Sequence, residues 1–506
     1  MRILASVFAT LVLVLALVRT AAAESRIDLP VLKEATSMLR VHDALWIERQ
    51  ATTLVGAAGQ DPKAVRELIA RALYCSSSLA GIDIARPAVL AWRTGKSPLI
   101  AVIPVSNRRA FVDNFGALPA GEPPLVRIGD RDGTVVLTQS REGGREEYRL
   151  LVSDNTAYLA RTADECRQLS GKPLPQAVDD TVVSFTAWGP FSERLPMGVT
   201  IDLPSALKLW PRAGSAAAVV ADQVGAAVLS QLESWSWQIR PAPSGASCTA
   251  TMQVAPDSQL SQWLRSQANQ GNRLVPMVQG ANTVALVYGQ FIWQGQCEAF
   301  GQALTTPIKA IAGQNWAPAS EAAWHSAWSM IDRTGSFAIA HDLSVDRAES
   351  GALVAEQSQA QVLAENIGTL APVLFERVAQ PVTAGKSQAT KLSPQSDPKR
   401  VEVVLASERH LAATWSGGDD AVAAAGELGS KLGASHAPAG TPAMLVCWFD
   451  LTRWSRIHAK ETPEPDAHLP QVALAVAVKA GADQVTIESQ VPLADIAQLL
   501  SRTSSK

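Results

Sequence analysis

The sequence predicts an α+β protein of two related halves, each a mostly antiparallel sheet with helices packed on one face. Three observations predict it. Thr249–Ser266 (TATMQVAPDSQLSQWLRS) and Val485–Arg502 (VTIESQVPLADIAQLLSR) read as two copies of one stretch. Each begins with the alternation of a half-buried strand, Ala250, Met252 and Val254 in one and Val485, Ile487 and Val491 in the other. Each then meets a proline, Pro256 or Pro492, suited to the first turn of a helix, and a helical stripe, Leu260, Trp263 and Leu264 or Ile496, Leu499 and Leu500. Second, four further echoes recur in the same order, among them Phe111–Leu118 with Leu363–Leu370 and Gly198–Leu209 with Val446–Ile457. Chance matches have no reason to be collinear. Third, 506 residues are too many for one ordinary domain.

The elements follow in chain order. Asp61-Pro62 opens a helix, because Asp is a favoured cap and Pro suits the first helical position. Gly81–Trp92 leads into a strand, and Pro98–Val105 is another. Ser106 can cap the next helix, ended by Gly116. Asp132-Gly133 turns one hairpin, and Ser153-Asp154-Asn155 joins Tyr148–Val152 to Thr156–Ala160 in a second. Thr162–Leu169 is helical, Thr181–Phe185 and Gly198–Ile201 are strands, and Ser215–Trp235 reads as a long helix. Asn269-Gln270-Gly271-Asn272 is the expected boundary, with halves at 24–268 and 269–506. Gly368 should end a helix as Gly116 does, and Asp202 and Asp450 should cap equivalent helices. Pro256 and Pro492 should both lie in a helical first turn, with Ala255 as an extra residue before it. Val382–Lys399 is polar and reads as a loop.

Residues 1–23 have the pattern of a secretory signal: Arg2, an apolar run Ile3–Val18, and a small-residue site ending at Ala23. The expected location is therefore the periplasm, the cell surface or the extracellular space, with no membrane-spanning segment after cleavage. The formal charge of −3 and the lack of a basic run argue against nucleic acid as a partner. Five cysteines, Cys75, Cys166, Cys248, Cys297 and Cys447, are widely spaced in a chain large enough to build its own cores, so no structural disulfide is expected.

The chemical motifs fail on context. Ser205-Ala206-Leu207-Lys208, Ser153-Asp154-Asn155 and Arg93-Thr94-Gly95 spell S-x-x-K, S-D-N and a relative of K-T-G, but in reverse of the order that penicillin-binding chemistry uses. Thr94–Ser97 and Gly385-Lys386-Ser387 lack the upstream glycine of a phosphate loop. Seven histidines are scattered without metal-ligand spacing, and His341-Asp342 has no visible partners. No catalytic, cofactor-binding or metal residue is assigned, and no cofactor is expected. Tryptophan is over-used, 14 against 4 Tyr, with Trp235/Trp237, Trp324/Trp328 and Trp448/Trp454 as close pairs suited to core packing or to stacking on a ligand.

Pro98–Phe115 (PLIAVIPVSNRRAFVDNF), Tyr148–Leu169 (YRLLVSDNTAYLARTADECRQL) and Gln484–Leu500 resemble, in general pattern over most of the chain, a group of large exported bacterial proteins with no established activity. The resemblance implies export and size, and no site residues. The reading that follows is a non-catalytic envelope protein with a binding or scaffold role, its partner an envelope protein, a glycan or an apolar ligand. The alternatives are a periplasmic carrier holding an apolar ligand in a cleft between the halves, and a hydrolase with an unrecognised site.

Overall fold

The computed structural model describes residues 35, 37–73, 78–92, 99–116, 125–141, 144–171, 180–188, 230–293, 295–343, 349–394, 400–417, 420–432, 437, 439–459 and 472–504. These fall into two compact units. The first is drawn from Met1–Thr200, Leu232–Gln253 and Gln490–Lys506, the second from Ile201–Gln231 and Val254–Ser489.

The first unit contains β1 (Ser37–Val41), β2 (Ala88–Trp92), β3 (Leu99–Pro104), β4 (Val126–Arg131), β5 (Thr134–Arg141), β6 (Gly144–Ser153), β7 (Thr156–Ala160), β8 (Val183–Trp188) and β9 (Leu232–Ala242), followed by β10 (Gly245–Val254). They pair antiparallel in the order β4-β5-β6-β7-β3-β2-β1-β8-β9. The two hairpin turns have the chemistry the sequence predicts. Asp132 and Gly133 take φ of 55° and 74°, and Asp154 and Asn155 take 49° and 57°. Positive φ at both central residues is what a two-residue turn needs to match strand twist.

Helices of this unit are α1 (Ala44–Ala57), α2 (Lys63–Ala72), α3 (Arg108–Asn114) and α4 (Ala163–Ser170). Asp61 accepts the Lys63 N–H at 2.9 Å, as expected at the start of α2. The cap of α3 is Asn107, not Ser106: Asn107 Oδ1 accepts the Ala110 N–H, while the Ser106 hydroxyl donates to the Ile82 carbonyl. Thr162 and Glu165 form a reciprocal capping box on α4. That helix sets Cys166 and Leu169 against Met38, Val89, Ile100 and Val102 on one face of the sheet. The other face is equally closed: Leu39, Leu90, Ala101 and Leu159 are 5% exposed or less.

The second unit contains α5 (Gln259–Ser266), β11 (Gln270–Asn272), α6 (Val275–Val278), β12 (Thr283–Gln290), α7 (Gln296–Ala312), α8 (Pro318–Ile331), β13 (Ser336–Leu343) and β14 (Glu349–Glu356). Then come α9 (Ala360–Leu374), β15 (Arg377–Ala384), β16 (Ser387–Pro394), β17 (Arg400–Ala406), β18 (His410–Gly417), α10 (Asp420–Lys431), β19 (Ala439–Ala443), β20 (Leu445–Asp450), α11 (Leu451–Ala459), β21 (Ala473–Ala480) and β22 (Gln484–Val491). The antiparallel order is β15-β16-β17-β18-β14-β13-β12-β20-β21. The short β19 pairs separately with β11. With the β11/β19 pair set aside and the remaining strands counted from the first of each unit, both sheets read fourth, fifth, sixth, seventh, third, second, first, eighth, ninth.

Several expectations are corrected. Helices do not keep to one face in the second unit. Leu286, Ala338, Val354, Val403 and Ala412 pack on one side with α6 and α10, while Val404, Leu411 and Leu392 pack on the other with α7, α8 and α9. Gly368 ends no helix: it lies inside α9, which runs to Leu374 because Leu363, Leu370 and Ala371 are anchored on both sides of it. Gly116, with φ of 122°, does follow α3. Pro256 sits in a turn before the Ser258 cap of α5, whereas Pro492 directly precedes a helix and its carbonyl accepts the Ile496 N–H. Val382–Lys399 is no loop along most of its length, since β15 and β16 form an edge hairpin turned at Gly385. Leu232–Trp235 belongs to β9 and not to a helix. Asp450 Oδ1 does cap α11 through the Arg453 N–H, and Asp202 lies outside the described residues.

The expected boundary at Asn269–Asn272 falls in strand β11 and not in a linker. The terminal helices explain why the units cut elsewhere. Asp483 accepts from the Ser261 hydroxyl at 2.6 Å and from Arg265 at 2.7 Å, so α5 belongs with the second unit. The last helix, α12 (Leu493–Ser504), belongs with the first, where it packs on α1. A Cβ on Gly245 would meet the Leu493 nitrogen and the Val491 carbonyl at 2.4 Å, so only glycine lets that backbone pass.

Candidate functional site

Ser153-Asp154-Asn155 is the β6–β7 turn. Ser205–Lys208, Arg93-Thr94-Gly95 and Thr94–Ser97 lie outside the described residues, as do Cys75 and the first 34 positions. Among the described residues no group of three or more His, Cys, Asp or Glu could hold a metal ion. Cys166, Cys248, Cys297 and Cys447 are in no disulfide. Burial pushes the Cys166 and Cys297 thiols up to about 12, so both stay protonated at neutral pH.

One Ser–His pair does meet. His42 Nε2 lies 3.3 Å from Ser184 Oγ. Burial, helped by the Arg40 guanidinium, drops the His42 pKa to about 4. Its Nδ1 is buried with no hydrogen-bond partner, and Ser184 is 1% exposed. A nucleophile needs a base of useful strength, an orienting group on that base and a path for substrate. None of the three is present, and the pair bridges strand ends.

The tryptophan pairs separate by role. Trp235 and Trp237 are buried on β9 beside Phe185, with centroids 5.7 and 6.0 Å away. Trp324 and Trp328 meet edge to face at 5.5 Å inside the α7–α8 layer. Trp454 lies 6.2 Å from Phe449.

Phe449 points to an unusual surface. In the second unit the strand registers align Ala413, Leu353, Ile339, Val287, Cys447 and Val476 in one row, running from β18 across β14, β13, β12 and β20 to β21. Five gaps of about 4.8 Å make the row about 24 Å long. Every side chain in it is apolar or a thiol. None is fully buried, and Cys447 is exposed in mid-strand. On the reverse side of the same strands Ala412, Val354, Ala338, Leu286, Val446 and Ala477 are all under 8% exposed, with Ala352, Trp448 and Ala475 half-buried.

Rings stand at intervals in the rows beside it. On one side, in register with it, come Trp415, Gly351, His341, Ala285, Phe449 and Leu474. A Cβ on Gly351 would lie 2.1 Å from the Trp415 ring, so the indole lies directly over that glycine. On the other side Phe337 and Leu445 lean over Gly289, whose added Cβ would meet them at 3.2 and 3.3 Å. Phe337 stacks on Phe291 at 5.6 Å, and Phe291 continues to Trp293 and Trp263 at 5.1 and 6.0 Å. Gln267 clips this cluster in place by accepting the Ile292 N–H and donating to the Ile292 carbonyl. The result is a shallow trough with an aliphatic floor, bordered at intervals by the Trp415, His341, Phe449 and Phe337 rings. At the β18 end Ala413 packs against the α7–α9 layer, which closes the trough there.

Sequence reasoning missed this surface. The sequence singles out His341, which lies in a bordering row, and Cys447, which lies in the floor, while the Trp448/Trp454 pair lies in neither. The available signal was that β12, β13, β20 and β21 are apolar at both odd and even positions.

No family model matches the chain, and no curated protein matches it. A solved structure, titled "Structure of crystal form I of TP0453", is similar at 10% identity, covering 47% of this chain and 99% of that one, with a TM-score of 0.21. At that score the likeness carries no assignment of fold or function.

Proposed function

We propose that the protein is a non-catalytic binding protein of the bacterial envelope, exported by its N-terminal signal, and that the trough on its second unit holds an apolar ligand. The observation that carries the reading is the half-open aliphatic floor. Apolar area left to water is unfavourable by about 25 cal/mol per Å², and contiguous apolar surface of this kind marks binding surfaces. The first unit supports the contrast. Its sheet has the same strand order, yet the corresponding strands are closed on both faces. The opening is therefore a property of these residues and not of the architecture. Among the described residues no helix is long and apolar enough to cross a membrane, which is compatible with an exported chain. The shared strand order also supports reading the two units as products of one duplication.

The test is titration with the neutral fluorescent probe N-phenyl-1-naphthylamine. Saturable binding is expected, weakened at least tenfold by Ile339→Asp and less by Val287→Thr, with circular dichroism unchanged. Absence of saturable binding, or equal binding by all three proteins, would overturn the reading.

A further inference from the structure

Resting on that reading, we infer that the ligand is an unbranched hydrocarbon chain of the acyl type, lying across strands β18 to β21 with Cys447 beneath it. The floor contains no side-chain nitrogen or oxygen along its whole length. A glycan or a nucleotide laid there would give up its hydrogen bonds to water and receive none from the floor, with only the His341 and Trp415 ring nitrogens in the rows named beside it, which is strongly unfavourable. The ligand must therefore be apolar along its length and not only at one point. The floor is one residue wide and six strands long, about 24 Å by strand spacing. Trp415 and Phe449 border one long side, Phe337 and Leu445 the other. A narrow strip of this shape fits a chain better than a ring. The α7–α9 layer closes the Ala413 end, so the chain's polar terminus lies toward β21.

Cys447 supplies a reporter in the floor itself. It is the exposed one of the four described cysteines, while Cys166, Cys248 and Cys297 are buried. Alkylation of the full chain with N-ethylmaleimide, quantified on the peptide carrying Cys447, reads occupancy of the trough directly. Octanoate, decanoate, laurate and myristate, each below its micelle concentration, are the probes. The expected result is protection of Cys447, with the half-protecting concentration falling about fourfold per added methylene. Cyclic carboxylic acids of equal carbon number should need at least tenfold more, and maltohexaose should not protect at all. Protection without chain-length dependence, or equal protection by the cyclic acids, overturns the assignment of a chain. No protection at all, while N-phenyl-1-naphthylamine still binds and Ile339→Asp still weakens it at least tenfold, overturns the chain and leaves the apolar site standing. Failure of both experiments removes the site as well.

Discussion

Gly301→Ala in α7 sets two effects of known size against each other. Helix propensity favours alanine over glycine in a helix interior by about 1 kcal/mol. Sterics oppose it. A Cβ on Gly301 would lie 2.2 Å from Trp328 Cγ, 2.5 Å from its Cδ1 and 2.6 Å from its Cβ. Carbon atoms settle at about 3.5–4.0 Å, so the two helices must part by roughly 1 Å. Turning the ring brings no relief, because the clash includes Trp328 Cβ, and Trp324 stands edge-on at 5.5 Å. Parting the helices also strains the hydrogen bond from Trp324 Nε1 to the Gly301 carbonyl, now 2.9 Å. Overpacking of this kind costs about 3 kcal/mol at the upper end of its usual range, leaving a net loss of about 2 kcal/mol.

The assay is urea unfolding followed by tryptophan fluorescence, with Gly368→Ala as the matched control. Gly368 is also inside a helix of the second unit, but an added Cβ there meets only Thr390 Cγ2 at an ordinary 3.7 Å. With a slope of about 2–3 kcal/mol per molar, Gly301→Ala should lower the midpoint by roughly 0.7–1 M. Gly368→Ala should raise it by roughly 0.3–0.5 M, the propensity gain alone. If both variants move the midpoint upward, propensity outweighs packing at Gly301 and the close approach of α7 and α8 is refuted.

The remaining predictions use other parts of the fold. His42 has a folded pKa of about 4 against 6.5 unfolded, so the unfolded chain binds the extra proton between those values. The resulting stability is complete above pH 6.5 and lost as pH falls toward 4, on the order of 2 kcal/mol after solvent screening; His42→Gln should flatten that part of the stability curve. Cys166 and Cys297, with thiols held near 12, should resist iodoacetamide at pH 8 in the native protein and react only after unfolding. A reductant should leave the melting temperature unchanged, and linked peptides containing any of the four described cysteines would contradict this. A fragment ending at residue 268 lacks α12, whose Leu493, Ile496 and Leu499 are buried in the first unit. It should unfold without cooperativity, and appending residues 490–506 through a flexible linker should restore a single transition.

Local signals in the sequence translated well where short-range chemistry decides the outcome. Asp132-Gly133 and Asp154-Asn155 turn their hairpins, Asp61 caps α2, and Asp450 caps α11. Signals failed where tertiary packing overrides them. Gly368 looks like a helix stop, yet buried leucines on both sides carry the helix through it. Val382–Lys399 looks like a loop because an edge hairpin shows polar side chains to water and tolerates Pro381 in its outer strand. The α5 helix follows its strand in sequence but is held by Asp483, more than two hundred residues away, and no local pattern announces such a partner.

The trough is a different kind of omission, because its residues were readable and their exposure was not. Ala-Leu-Ala-Val-Ala-Val in β21 and Thr-Val-Ala-Leu-Val-Tyr in β12 are apolar on both faces, the mark of a strand buried on both sides. In β3, Leu-Ile-Ala-Val-Ile-Pro carries the same mark, and there it is true: Ile100, Ala101, Val102 and Ile103 are 1% exposed or less. In β12 it holds for Val284, Leu286 and Tyr288 and lapses for Ala285 and Val287, which stay in partial contact with water. The alternation that identifies an ordinary one-sided strand would have placed polar residues at 285, 287, 339 and 353 if solvent were their permanent neighbour. Aliphatic residues at those positions describe a surface built to be covered, and the described residues leave it open.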